Sequence, residues 1–423
     1  MTFSYTHLGC KVNECEIHAA ASDFFSAGFE NLPFLKGNAD VVIINTCCVT
    51  LESEAKSRKV ISRARRLSPN GVIAVTGCFS QMFSDAAIKS GADIIIPNDK
   101  KDKIFLLVCS ELVKRNKLDA IPDLTENVMY FDRTRASLKV QDGCDNFCSY
   151  CIIPYARGPL KSVKADAVIK EAARIAKAGY KEIVLTGIHL TRYGVDAPEN
   201  GDLLSLCERV AEIDGIERIR LGSIEPGYLT EERAKRLAGI GKICPQFHLA
   251  LQSGSDGVLQ RMNRHYTTGQ YISEVNTLKK YFDNCAVTTD IMVGFPGETD
   301  EEFSESLEFV KRVGFCRVHV FPYSLRPGTK AALMAQVDAK TKKQRTDVML
   351  ALAKKEQEEF IKSMQGKAFS VLFEREKGGK YYGYTENYIQ VCTVSDCDIS
   401  GRIMPVKLTS EKDGVCECRI IGE

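Results

Sequence analysis

From about residue 137 to residue 323, short β-rich apolar runs alternate with helical stretches at a spacing of roughly 35 residues. Few folds accept that rhythm. Adjacent antiparallel strands need only a tight turn between them, whereas parallel strands need a crossover of a dozen or more residues, usually a helix. The strand-like segments are Leu138–Gln141, Ile183–Thr186, Arg218–Ser223, Gln246–Leu251, Ala286–Val293 and Arg317–Tyr323. Helical spacing fills the gaps, as in Lys164–Ala178, Glu231–Leu237 and Asp300–Val313. Six such units predict a partial (β/α)6 barrel rather than a complete eight-fold one. A long charged helix over Ala339–Met364 closes this part.

The first ~115 residues repeat the pattern on a smaller scale, with β-rich runs at Phe3–Leu8, Asp40–Ile44 and Val72–Val75 and helical stretches at Glu14–Phe25 and Glu52–Leu67. They predict an open parallel α/β sheet. A polar stretch from Asn116 to Asp132 reads as a linker. After Gly366 the character changes to five short strand-like runs, at Phe369–Phe373, Tyr381–Tyr384, Tyr388–Thr393, Arg402–Leu408 and Val415–Ile421. That density predicts a small antiparallel β-barrel of oligonucleotide-binding type. The expected division of this α/β chain is therefore 1–120, 130–364 and 365–423, in line with the two to three domains that 423 residues allow.

Composition excludes more than it assigns. With 57 Lys and Arg against 55 Asp and Glu the net charge is +2, so any polyanion partner has to be met by local patches. No apolar run approaches the ~18 residues of a membrane helix, and no membrane role is expected. The opening Met-Thr-Phe-Ser-Tyr-Thr-His has neither a basic nor an apolar leader region, so the expected location is the cytoplasm. In such a reducing compartment the 17 cysteines are core residues or metal ligands rather than disulfides.

Two groups of cysteines are placed for chemistry. Cys144-Asp-Asn-Phe-Cys148-Ser-Tyr-Cys151 directly follows the first strand of the middle region. Three thiolates at this spacing, with no fourth Cys or His nearby, can hold three corners of an iron–sulfur cluster and leave one iron open to a ligand. Structural zinc, the alternative, is closed by four protein ligands. The second group is dispersed. Cys10, Cys47 and Cys78 each follow an N-terminal strand run, and in a parallel sheet they share the carboxyl edge, where open α/β folds place ligands. Spacing does not separate Cys47 from Cys48, and Cys15 is close enough to compete. In the tail, Cys392, Cys397, Cys416 and Cys418 admit a zinc site, with packing the favoured explanation. Cys109, Cys207, Cys244, Cys285 and Cys316 read as core.

These residues resemble the radical S-adenosylmethionine methylthiotransferase family over essentially the whole chain. The motifs are Leu-Gly-Cys10-Lys-Val-Asn, Asn-Thr-Cys47, Thr-Gly-Cys78, Cys144-Asp-Asn-Phe-Cys148-Ser-Tyr-Cys151-Ile-Ile-Pro-Tyr-Ala-Arg157-Gly, Leu221-Gly-Ser-Ile-Glu225-Pro, His248-Leu-Ala-Leu-Gln252-Ser-Gly-Ser, Arg261-Met-Asn-Arg264-His-Tyr-Thr and Phe321-Pro-Tyr-Ser-Leu-Arg-Pro-Gly-Thr329. The tail is similar to the family's RNA-binding TRAM module at Gly383-Tyr-Thr-Glu-Asn-Tyr388. Lys-Val-Asn after Cys10 and Thr50 at the end of the second motif resemble the threonylcarbamoyladenosine branch, while Cys48 replaces the more usual Thr.

The resemblance implies two [4Fe-4S] clusters, on Cys144/Cys148/Cys151 and on Cys10/Cys47/Cys78, with S-adenosylmethionine bound at the open iron of the first. A radical from its cleavage would take hydrogen from an unactivated carbon, and the second cluster would present the sulfur. Tyr150 is expected beside the adenine, and Glu225 and Gln252 at the ribose or amino-acid part. Arg264 is expected to pair with the cofactor carboxylate, a geometry that suits a guanidinium. The expected reaction is methylthiolation of carbon 2 of N6-threonylcarbamoyladenosine at position 37, in the anticodon loop of tRNA, with an external electron donor and sulfur source. Alternatives are the isopentenyladenosine substrate, an aspartate of a ribosomal protein, and a non-catalytic iron–sulfur RNA-binding protein. Six bases within Lys56–Arg66 form a candidate phosphate stripe. The tail carries 8 basic and 9 acidic residues, so RNA binding there would rest on local bases and on Tyr381, Tyr382, Tyr384 and Tyr388.

Overall fold

The computed structural model describes residues 1–125 and 134–422. The part of the expected linker from 126 to 132 lies outside the described residues. The chain forms two compact units: Met1–Asp132 with Asp142–Leu160 and Ser324–Thr329, and Arg133–Gln141 with Lys161–Tyr323 and Lys330–Glu423.

The first unit is built on strands β1 (Thr2–His7), β2 (Glu30–Asn31), β3 (Val41–Thr46), β4 (Val72–Gly77) and β5 (Ile94–Ile95). They form one sheet in the order β2-β1-β3-β4-β5. Every pairing is parallel. Helices α1 (Lys11–Ser26), α2 (Leu51–Leu67), α3 (Cys78–Met82), α4 (Ser84–Lys89) and α5 (Ile104–Lys114) supply the crossovers and cover. Helix α6 (Ile153–Arg157) follows the Cys144–Cys151 loop. All residues of β3 and β4 are buried, as expected of central parallel strands covered on both faces. One apolar cluster lies around Phe3, Phe24 and Val108, and a second around Ile44, Ile61 and Phe79. Helix α2 starts on Thr50, whose side chain accepts from the Ser53 N–H in a capping box, so the chain turns sharply just after Cys47 and Cys48. Two-residue β2 and β5 and the helices α3, α4 and α5 are absent from the sequence expectation.

In the second unit, β6 (Arg135–Lys139), β7 (Glu182–Thr186) and β8 (Arg218–Leu221) form one parallel sheet. Strands β9 (Ser223–Ile224), β10 (Gln246–Leu249), β11 (Ala286–Val293) and β12 (Arg317–Pro322) form another. β8 and β9 are one chain direction interrupted at Gly222, so six β/α units stand as expected. The main helices are α7 (Ala165–Lys177), α8 (Leu203–Ala211), α9 (Glu231–Ala238), α10 (Asp256–Arg261), α11 (Thr268–Tyr281), α12 (Asp300–Val313) and α13 (Ala339–Met364). Alternate strand residues such as Ile183, Ile219, Phe247 and Ile291 enter the apolar cluster shared with these helices.

The tail strands β13 (Ala368–Lys377), β14 (Lys380–Thr385), β15 (Gln390–Thr393), β16 (Ile403–Lys412) and β17 (Val415–Ile420) close into a barrel in the order β13-β14-β15-β17-β16. One pairing, β15 with β17, is parallel, so the barrel is not wholly antiparallel as expected. The other pairings are antiparallel. Two tail tyrosines are used internally. Tyr384 and Tyr388 stack at 4.7 Å between ring centroids. The Arg135 guanidinium lies over both rings and that of Arg220 over Tyr388. Arg218 donates to the Ser370 carbonyl at 2.6 Å. These contacts join the tail barrel to the first strand residues of the partial barrel, the end opposite to where such barrels build active sites.

Candidate functional site

Cys10, Cys47 and Cys78 lie along one edge of the sheet because three parallel strands end in step. The register pairs His7 with Asn45, Asn45 with Thr76 and Thr46 with Gly77. Cys10 caps α1 and Cys78 is the first residue of α3. Glycines allow the close approach. Gly9 has φ +95°, and a Cβ there would lie 2.9 Å from the Cys47 Sγ. Gly77 has φ +100°, and a Cβ there would lie 2.3 Å from the Thr46 carbonyl oxygen. Any side chain at either position would push the cysteine-bearing turns apart. Cys47 is the residue that abuts the Gly9–Cys10 turn, whereas Cys48 sits in the apolar cluster with Ile61 and Phe79, which Cys78 also enters.

Burial pushes the Cys47 and Cys78 thiols up, while the Arg157 charge pulls both down and Lys101 adds to it at Cys78. Such thiols keep their protons until a metal displaces them. Arg157 and Lys101 are themselves buried. Glu16 accepts from Arg157 Nη1 at 3.1 Å, from Asn45 Nδ2 at 3.0 Å and from Lys101 Nζ. Burial alone would lower the affinity of Arg157 for its proton, but the Glu16 and Asp142 carboxylates beside it outweigh that and hold the guanidinium charged.

The loop Cys144–Cys151 belongs to the same compact unit. Cys144 N donates to the Gly158 carbonyl at 3.2 Å and Cys151 N to the Cys148 carbonyl at 2.9 Å. Cys148 is buried, while Cys144, Cys151 and Tyr150 are half-buried. Phe147, at φ +45°, is half exposed and meets Tyr155 edge-on at 5.8 Å.

In the second unit Glu225 and Arg264 find each other. Arg264 Nη2 donates to the Glu225 carboxylate at 2.8 Å, and its Nε donates to the Tyr266 hydroxyl at 3.0 Å. The carboxylate that Arg264 meets in this structure is thus that of Glu225. Gln252 lies past the end of β10, buried, with φ +69°, its N–H donating to the Asp290 carbonyl at 2.9 Å. A non-glycine residue held there stores backbone strain of the kind that collects at functional sites. In the tail, Cys392, Cys416 and Cys418 are buried and the latter two belong to the barrel's apolar cluster, which is packing.

The profile of the Radical SAM superfamily matches residues 138–310, and that of the Uncharacterized protein family UPF0004 matches residues 2–96. Threonylcarbamoyladenosine tRNA methylthiotransferase MtaB of Bacillus subtilis is 41% identical, over 96% of this chain and 93% of that one. The chain belongs to the radical S-adenosylmethionine methylthiotransferase family. A tRNA-2-methylthio-N(6)-dimethylallyladenosine synthase of Pelotomaculum thermopropionicum is 35% identical, over 96% of this chain and 94% of that one. Among solved structures, the radical S-adenosylmethionine methyltransferase TsrM of Kitasatospora setae superposes with a TM-score of 0.57 at 15% identity, covering 79% of this chain and 77% of that one, a likeness of fold.

Membership makes the chain an enzyme and implies a [4Fe-4S] cluster with S-adenosylmethionine. Among the described residues no three His, Cys, Asp or Glu side chains converge as around a single metal ion. A four-iron cluster takes one thiolate per iron around a larger core, so donor chemistry is the test of fit. Three thiols on one short, partly exposed loop fit it. No helix among the described residues is long and apolar enough to cross a membrane.

Sequence reasoning missed Asn13, Glu16, Asn45 and Lys101, which hold the cysteine turns from below. It also missed Arg326, 1% exposed, which pairs with Glu54 at 2.6 Å and lies over the Phe83 ring. Gly-Cys at 9–10 and 77–78 was the available signal for the turns.

Proposed function

We propose that this enzyme methylthiolates carbon 2 of N6-threonylcarbamoyladenosine at position 37 in the anticodon loop of tRNA. One observation carries the reading. Glycine-bearing strand ends deliver Cys10, Cys47 and Cys78 to one sheet edge, in the same compact unit as Cys144, Cys148 and Cys151. Two sets of three thiols, each without a fourth ligand, suit two [4Fe-4S] clusters with one open iron apiece. The identity to the Bacillus subtilis relative supports the threonylcarbamoyl branch.

When bound, the Cys144/Cys148/Cys151 cluster and S-adenosylmethionine supply the carbon radical that side chains cannot generate. The protein's part is to bind and orient. Tyr150, beside the last cysteine of the loop, offers its ring to the adenine. Glu225 orients Arg264 through their ion pair, and the pair together with the strained Gln252 forms a polar rim at the carboxyl end of the barrel strands for the cofactor's ribose and amino acid. Cys10, Cys47 and Cys78 hold the sulfur-presenting cluster. Electrons and sulfur come from external partners. The tail serves as a TRAM-like RNA module, and the enzyme works in the cytoplasm.

Mass spectrometry of nucleosides from bulk tRNA, with the gene present and deleted, tests this. Selective loss of 2-methylthio-threonylcarbamoyladenosine with accumulation of its unthiolated precursor is expected. Loss of the isopentenyl counterpart would move the substrate, and unchanged nucleosides would overturn the tRNA reading.

A further inference from the structure

We propose that Arg157 is a positioning residue that locks the two cysteine triads into one frame and reserves an N–H for the group held by Cys10, Cys47 and Cys78. The inference rests on the two-cluster reading above. Arg157 ends α6, six residues after Cys151, and its side chain is 1% exposed. Its Nη1 donates to Asp142 Oδ1 at 2.7 Å, two residues before Cys144, and to Glu16 Oε1 at 3.1 Å. Its Nη2 donates to Asn13 Oδ1.

Asn13 extends the reach of that guanidinium. Its Nδ2 donates to the Leu8 carbonyl at 2.7 Å and to the Thr46 carbonyl at 3.1 Å, two residues before Cys10 and one before Cys47. Asn45 Nδ2 donates to the Asn13 carbonyl at 3.0 Å, and Asn45 Oδ1 would lie 2.4 Å from a Cβ at Gly77, next to Cys78. A single planar fork therefore reaches all three N-terminal cysteine turns and the start of the Cys144 loop. Lysine cannot replace it, because one ammonium does not span acceptors that a rigid guanidinium meets at once.

The third nitrogen is the telling one. Among the described residues, Arg157 Nε is buried with no hydrogen-bond partner. A buried N–H without an acceptor is costly unless something fills the place, and the same guanidinium is held through Asn13 against the turns that carry Cys10 and Cys47. Hydrogen bonds and positive charge at cluster sulfurs favour the reduced state and raise the reduction potential. Arg157 thus sets the geometry of the sulfur-presenting site and tunes its potential upward.

The test uses the full-length chain with Cys144, Cys148 and Cys151 all changed to Ala, so that only the N-terminal triad binds iron. Redox titration followed by electron paramagnetic resonance is expected to show a lower midpoint potential in Arg157→Lys and lower still in Arg157→Gln. In the cluster-free form of the otherwise unaltered chain, hydrogen–deuterium exchange is expected to rise at least tenfold in Arg157→Lys, at residues 8–13 and 45–48 as well as 142–151. Iron lost from the N-terminal triad together with exchange at all three segments supports the proposal. Unchanged potentials, or faster exchange confined to 142–158, would overturn it. Absence of iron from the parent with the three Ala changes would instead overturn the two-cluster reading, a distinct result.

Discussion

Cys78 is the most enclosed of the three N-terminal candidate ligands, 2% exposed, against 6% for Cys47 and a solvent-exposed Cys10. It begins α3 immediately after a glycine that no other residue can replace without striking Thr46. Cys78→Ala removes one sulfur and leaves the turn intact. Reductive formation of 5′-deoxyadenosine from S-adenosylmethionine is expected to stay within about twofold, while methylthiolated product falls at least about 100-fold. Cys48→Ala, in the apolar cluster, is expected to retain both. Quantifying the two products in one reaction checks this, and retained thiolation in Cys78→Ala would remove it from the sulfur site. At this scale the placement of Cys10, Cys47 and Cys78 at the carboxyl edge of a parallel sheet was legible in the sequence, because each follows a strand-like run. Asn13, Glu16 and Asn45 were not, because a buried amide or carboxylate looks like a surface one until packing supplies its partners. For Glu225 and Arg264 an ordinary salt bridge was one of the readings the sequence allowed, but that each is the other's partner was hidden for the same reason.

Elements were easier to read than the links between them. Strand and helix periodicity located β1, β3, β4 and the six barrel strands, with β6 beginning three residues before the expected Leu138, whereas β2 and β5 are two residues each and too short to carry a period. Periodicity was equally silent on which segment folds with which, so the placement of 142–160 and 324–329 with the N-terminal sheet needed three dimensions. One such link is testable by pH. Glu274 of α11 accepts from the Gly227 N–H, holding the turn that follows Glu225. Burial pushes its carboxyl up to about 7, against the hydrogen bonds from Gly227 and Leu229, with the Glu225 charge adding to the rise. The unfolded chain releases this proton near 4.5 and the folded chain near 7, so the contribution to stability is complete below 4.5 and is lost as pH rises to about 7. Glu274→Gln removes that loss. Its melting temperature is expected to match the parent near pH 4.5 and to exceed it increasingly up to pH 8, by an amount worth about 1–3 kcal/mol. Parallel melting curves across that range would show that Glu274 ionises normally.

For the whole molecule the question is how a chain of net charge +2 holds a polyanion. Tyr384 and Tyr388 are occupied in joining the tail to the barrel and Tyr381 packs against the tail's own apolar cluster, which leaves Tyr382 of the four tail tyrosines for base stacking. Electrostatics must then come from patches. Of the six bases on α2, Lys56 pairs with Glu52, Arg58 with Glu54 and Arg65 with Asp93. Lys59, Arg63 and Arg66 are exposed and carry no ion pair among the described residues, and at spacings of four and three they share one face of the helix. Each phosphate left without its basic partner should reduce the slope of log affinity against log salt by roughly 0.7–0.9. Lys59→Ala, Arg63→Ala and Arg66→Ala together are therefore expected to flatten that slope for tRNA by about 2 to 3, with S-adenosylmethionine cleavage in the absence of tRNA unchanged. Binding titrations from low to high salt on parent and triple variant measure it directly. An equal slope in both would make this face of α2 a solvated surface and assign the phosphates to other bases, whereas a flattened slope with unchanged cleavage separates the grip on RNA from the chemistry.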